Sequence, residues 1–177
     1  EYGHRSGVEV RIESVGGIDA AKRVAAGEPF DVVMLASDAI DRLIASGHVL
    51  DDTKVDLVHS GVAIATKAGA PQPDIGTEPA LRSAVLAAHS IGYSTGPSGV
   101  QLLKLFDRWG ITAQIQGRLV QAQAGVPVGV LVARGEVELG FQQLSELISL
   151  DGITVLGPMP PAVQIDTTFC AALCKTS

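Results

Sequence analysis

The sequence predicts an α/β fold built on a mostly parallel sheet. Two patterns carry that prediction. Apolar runs of strand length alternate with helix-periodic segments, and several of the helical segments are bracketed by glycine, as at Gly16–Gly17 and Gly27, or closed by it, as at Gly47. The chain of 177 residues, 46% apolar and 18% charged, is also long enough to bury a substantial core.

Each element follows in order. "EYGHRSG" reads as the tail of a helix, and Val8 to Val15 as a strand with Val8, Val10 and Ile12 alternating. "GGIDAAKRVAAG" is a helix, "FDVVMLAS" a buried strand, and "SDAIDRLIASGHV" a helix with Ser37 as its N-cap and Gly47 at its end. His59 to Thr66 is a strand, "KAGAPQPDIGTEPA" a loop, and "EPALRSAVLAA" a helix entered through proline. Ser90 to Tyr93 is a short strand, followed by a loop and a helix from Gly99 to Trp109 that stops at Gly110. "RLVQA" and "VELGFQQ" are strands separated by the loop and helix of "GVPVGVLVARGE". A short helix in "LSELISLDG", a strand in "ITVLG", a turn at "PMPPA" and a long strand in "VQIDTTFCAALC" complete the pattern. It opens in mid-unit and ends on a strand, whereas α/β units cover their sheet with helices, so one element at each end is expected to be absent.

Composition excludes several classes of function. The net charge of −6, without a basic run, argues against a nucleic-acid partner, and 4% aromatics leaves little surface for stacking bases. No stretch has the apolar length of a membrane span, so no membrane insertion is expected. The 177 residues contain no signal peptide, which leaves periplasmic and cytoplasmic locations both open. Cys170 and Cys174, on a strand, would stand roughly 13 Å apart, too far for a disulfide. With no histidine beside them they read as buried thiols rather than zinc ligands. No metal site and no cofactor motif is expected.

The stretch richest in chemistry is "SIGYSTGPSGVQLLKLFDRWGI", Ser90 to Ile111. Gly92-Tyr93-Ser94-Thr95-Gly96 matches the G-x-S-x-G nucleophile elbow, but all four histidines precede Ser94, and the elbow's base follows its serine. A phosphate-binding P-loop needs a lysine where Val100 and Gln101 follow Gly99. The remaining reading is an anion held by backbone N–H groups and by the hydroxyls of Ser94, Thr95 and Ser98, with Gly96 and Gly99 allowing close approach. The plainer alternative makes Ser98 an N-cap and the loop a turn. Similar junctions recur at Gly16-Gly17 and at Gly125-Val126-Pro127, and Gln142 and Gln143 close a strand with further amide donors.

The stretches "GGIDAAKRVAAGEPFDVVMLASDAIDRLIASGHV", "GYSTGPSGVQLLKLFDRWGI" and "GVPVGVLVARGEVELGFQQLSELI" together resemble the type 2 periplasmic solute-binding proteins of the molybdate-binding group. The resemblance implies two α/β lobes, residues 1–64 with 163–177 and residues 65–162, joined by crossing strands at His59–Thr66 and Ile165–Leu173. The group's first strand and its C-terminal helices have no counterpart here. It also implies a small anion, a molybdate-like oxyanion or a small polycarboxylate, held in the cleft and passed to an ABC transporter permease. The ligand contacts would fall on Gly17, Ser98, Val126 and Gln143, within a pocket of Gly16, Gly17, Ser94, Thr95, Ser98, Gly99, Val126, Gln142 and Gln143. The group has a serine at the position of Gly17 and often a tyrosine at that of Gln143, differences that favour a flatter, larger anion. Its relatives include an aconitate isomerase, the alternative reading. That reaction needs an acid and a base, and the inferred pocket offers no carboxylate, histidine or lysine.

Overall fold

The computed structural model describes residues 5–176, so residues 1–4, His4 and most of the expected helix tail among them, lie outside the described residues. Arg5 and Ser6 are helical. Seven strands follow: β1 (Val32–Ala36), β2 (Val55–Lys67), β3 (Ile91–Tyr93), β4 (Leu119–Gln121), β5 (Leu139–Gln143), β6 (Ile153–Pro158) and β7 (Asp166–Leu173). They alternate with helices α1 (Gly17–Ala25), α2 (Ser37–Ala45), α3 (Glu78–Ala87), α4 (Pro97–Arg108), α5 (Thr112–Ile115), α6 (Val128–Arg134) and α7 (Leu144–Leu147).

Glycine ends several of these helices for one physical reason. Gly27, Gly47 and Gly110 take φ values of 79°, 78° and 67°, a left-handed turn that side chains with a Cβ resist. In each case the N–H of the next residue reaches back to a carbonyl of the last turn: Glu28 to Arg23, His48 to Leu43, and Ile111 to Phe106. At the other end, Thr77 caps α3 by accepting from the Ala80 N–H at 3.2 Å. Ser37 does not act as a cap. It is the first helical residue of α2, with Ala36 in the cap position, and its hydroxyl accepts from Lys54 Nζ at 2.8 Å.

The strands run in the order β1-β7-β2-β5-β3-β4, with β6 beside β2. Parallel pairing occurs where helices connect the strands, β3 with β4 and β3 with β5, while the ladders of β1, β2 and β7 are antiparallel, so the sheet is mixed. The organising element is β2, thirteen residues long. Its first half, Val55 to Gly61, pairs with β7, and its second half, from Val62, pairs with β5 and β6. One strand therefore belongs to two sheet regions, each with its own core.

Around β1 and β7 the core holds Val33, Leu35, Ile40, Leu43 and Cys170. Around β3 and β5 it holds Ile64, Leu81, Ile91, Leu102, Phe106 and Phe141. Phe106 is fully buried, 6.2 Å centroid to centroid from Phe141 in an edge-on arrangement and 6.0 Å from Trp109. Both cysteines are free and buried, as expected.

One predicted element is absent. Val8 to Val15 forms no strand, and Val8, Val10, Ile12 and Val15 stand 52%, 53%, 84% and 47% exposed. Alternation alone does not make a strand, because the backbone N–H and C=O groups need a ladder, and among the described residues nothing pairs with this segment.

Candidate functional site

The Ser/Gly loop between β3 and α4 folds back on the helix it introduces. Helix α4 starts at Pro97, two residues earlier than the sequence pattern indicates, with Gly96 as N-cap. Ser98 thus lies within the first turn and is not the cap; it is 6% exposed. Its Oγ is 3.1 Å from Ser94 Oγ, so the two hydroxyls form a pair across the mouth of the turn. Ser94 and Thr95 are half-buried. Gly99 is required by close approach: a Cβ there would lie 1.9 Å from the Ser94 carbonyl oxygen.

These contacts bear on the serine elbow. Among the described residues Ser94 finds another hydroxyl rather than a base, and His59 is engaged elsewhere, its Nδ1 2.9 Å from Thr168 Oγ1. A nucleophile without a proton acceptor has no means of activation.

Two further predicted positions meet from opposite parts of the fold. A Cβ placed on Gly16, the N-cap of α1, would lie 3.7 Å from the Gly125 backbone nitrogen. The start of α1 and the loop ahead of α6 therefore touch. Gly17 packs on Leu35 of β1, where a Cβ would find Leu35 Cδ2 at 3.7 Å. Within the second loop the Val126 N–H donates to the Gln123 carbonyl at 3.0 Å, closing a turn.

The adjacent glutamines differ because successive strand residues face opposite ways. Gln142, 3% exposed, accepts from the Gly129 N–H at 3.2 Å through Oε1 and donates from Nε2 to Glu146. Both ends of its amide are thus used to hold α6 and α7 together. Gln143, 4% exposed, donates from Nε2 to Thr167 Oγ1 at 2.7 Å, bridging β5 to β7, and its Oε1 is buried without a partner. A buried polar atom left unpaired is costly, so it marks a place where a further group belongs.

Thr167 and Glu146 were not legible as site neighbours in the sequence. Thr167 lies 24 residues from Gln143, and Glu146, though four residues after Gln142, is reached across a strand-to-helix junction where helix spacing does not apply. Glu146 is exposed as a residue, but partial burial of its carboxyl group pushes it above the usual carboxylate range, with the Gln142 N–H opposing the shift in part. Among the described residues no group of three or more His, Cys, Asp or Glu is placed to hold a metal ion, and no helix is long and apolar enough to cross a membrane.

Two sheet regions sharing β2, flanked by helices, form a mixed α/β fold of the kind found in periplasmic binding proteins. All 177 residues match the family described as bacterial extracellular solute-binding protein, and the chain belongs to that family. Aconitate isomerase of a Pseudomonas species is 42% identical over 158 residues, covering 88% of this chain and 59% of that protein. The chain thus spans less than two thirds of that relative's length. Among solved structures, the periplasmic molybdate-binding protein of Azotobacter vinelandii superposes with a TM-score of 0.75 at 20% identity, over 99% of this chain and 78% of that one. AgtB from A. tumefaciens R10, in complex with agropinic acid, gives 0.66 at 12% identity over 99% and 66%. Iron-bound HitA from Pseudomonas aeruginosa gives 0.65 at 14% identity over 99% and 70%. Those ligands differ in size and charge, so the shared fold leaves the ligand to the side chains.

Proposed function

We propose that this protein holds a small polycarboxylate anion in the cleft between two lobes, residues 1–64 with 163–177 and residues 65–162, outside the cytoplasmic membrane, and delivers it to an ABC-type permease. The lobes would close on the anion about β2 and β7. Backbone N–H groups at the starts of α1 and α4, the Ser94 and Ser98 hydroxyls, the loop at Val126 and the Gln143 amide are the contacts assigned to it.

The observation that carries the choice of a polycarboxylate is the buried, half-partnered amide of Gln143. Thr167 Oγ1 can donate as well as accept, so the amide can turn end for end with that contact kept and place an NH2 where the unpartnered oxygen lies. A flat, branched anion with separated carboxylates has room for such a donor as well as the helix starts. A compact tetrahedral oxyanion is better served by donors converging on one point.

A second reading is favoured by the relative at 42% identity, whose name specifies isomerisation of aconitate. Here the bound tricarboxylate would be the substrate of a double-bond shift.

Both readings are tested by thermal unfolding against a panel of trans-aconitate, citrate, tricarballylate, molybdate and sulfate. A ligand that binds only the folded state raises the melting temperature as its concentration passes Kd. The expected result is a saturable rise with the tricarboxylates. A rise with molybdate and none with any tricarboxylate overturns the assignment.

A further inference from the structure

Polar side chains are seldom buried without a reason, and in this protein they gather at one place. Ser60, Gln143 and Thr167 are three of the six buried polar or charged residues among the described residues. They meet where β2 leaves its ladder with β7 and enters its ladder with β5. Ser60 stands opposite Thr167 in the first ladder, and Val62 opposite Gln143 in the second. Residues two apart on a strand share a face, as do residues directly opposite across a ladder, so these four side chains lie on one side of the sheet.

Within this cluster the amide of Gln143 has a single anchor. Its Nε2 donates to Thr167 Oγ1 at 2.7 Å, and its Oε1 is buried without a partner. Ser60 adds no second anchor, because its Oγ is turned to Ser145 Oγ at 3.4 Å. Helix α4, which carries Ser98, packs against both β5 and β7, so it rests on the two strands that carry the amide and its anchor.

We infer that Thr167 is a positioning residue for the bound anion, acting through the direction of the Gln143 amide. The inference rests on the assignment of that amide to the tricarboxylate site. A threonine hydroxyl has one proton to give and lone pairs to receive, so it can anchor either end of an amide. In the structure Oγ1 accepts from Nε2. With a carboxylate beside the amide, Oγ1 donates to Oε1 instead, and the NH2 takes the place of the unpartnered oxygen. The anchored end keeps its hydrogen bond in both directions. A valine has nearly the same shape and can anchor neither end, so the amide loses its only partner and its direction.

The test compares wild type with Thr167→Val, Thr167→Ser, Gln143→Met and the double variant. Methionine keeps the length of glutamine without its hydrogen bonds. Calorimetric titration with tricarballylate, a tricarboxylate with no double bond to move, gives affinity, and thermal unfolding of the same samples shows that each variant is folded. The expected result is that Thr167→Val binds about tenfold more weakly and Thr167→Ser binds like wild type. In the Gln143→Met background Thr167→Val should add nothing, because a residue acting through the amide has no effect once the amide is gone. Wild-type affinity in Thr167→Val, beside a weakened Gln143→Met, overturns the inference and leaves Gln143 in the site. An undiminished Thr167→Val effect in the Gln143→Met background also overturns it, since that marks a purely structural role. If Thr167→Val melts before it can be titrated, Thr167→Ala against Thr167→Ser decides the same point, equal affinities overturning the inference. Gln143→Met binding like wild type removes the amide and Thr167 together, and a wild type that binds no tricarballylate removes the site reading beneath both.

Discussion

Gly99 offers the sharpest test of the loop between β3 and α4. A methyl group at this position would sit 1.9 Å from the Ser94 carbonyl oxygen and 2.9 Å from its carbon. A normal contact is about 3.4 Å or more, so Ser94 must retreat by roughly 1.5 Å or the helix start must tilt away by as much. The obstacle is backbone, which cannot step aside as a side-chain tip can. Overpacking of this kind costs about 1–3 kcal/mol. The displaced residue is also the one whose hydroxyl meets Ser98, so Gly99→Ala should lower stability and disperse the anion contacts together. Gly96→Ala is the control, because in the same loop its added Cβ would meet only Ser94 Oγ at 3.8 Å, and the φ of −78° suits any residue. Urea unfolding gives the stability of each variant, and calorimetric titration with citrate gives its affinity. The expected pattern is a destabilised Gly99→Ala with at least tenfold weaker binding, about 1.4 kcal/mol, beside a Gly96→Ala close to wild type. Wild-type stability and affinity in Gly99→Ala would refute the reasoning.

Other expectations follow from single residues. Ser98→Ala should weaken tricarboxylate binding by about 1–2 kcal/mol, the scale of one hydrogen bond to a charged group, and unchanged affinity by calorimetry removes Ser98 from the site. Phe106→Ala should destabilise the protein by about 3–5 kcal/mol in urea unfolding, since the ring is fully buried against Phe141 and Trp109. Because burial raises Glu146 above its unfolded value, stability should fall as pH rises from the usual carboxylate range through the shifted one. Glu146→Gln should therefore match wild type in melting temperature at low pH and exceed it near neutrality; a difference that does not change with pH contradicts that shift. Burial likewise pushes both thiols up, so Cys170 and Cys174 should resist alkylation in the native protein and react on unfolding in urea.

Much of the architecture was legible because it rests on short-range chemistry. Gly27, Gly47 and Gly110 signalled helix ends through a backbone requirement that no distant contact alters. The strands around β3 and β5 were readable as apolar runs because both faces of those strands are covered. The Val8–Val15 segment misled for the converse reason, since its alternation describes a face and not a partner. The long β2 was read only from His59, because its first half exposes Val55, Leu57 and Val58 and lacks a buried run. At the site, glycines and hydroxyls were visible in sequence, whereas their pairing was not. Ser94 with Ser98 and Gly99 is local and was anticipated as a loop. The Gln143–Thr167 bridge joins β5 to β7, and that contact exists only once the sheets cross. Gln142 and Gln143 looked equivalent in the chain, and the pleat separates them into a structural tie and a half-partnered amide.

The central claim is that the cleft takes a small polycarboxylate, and one calorimetric comparison addresses it most directly: titration of the same protein sample with trans-aconitate and with molybdate. The account predicts saturable binding of trans-aconitate at one site per chain, with molybdate binding more weakly or giving no heat. Tight one-to-one binding of molybdate, with trans-aconitate silent, would contradict it.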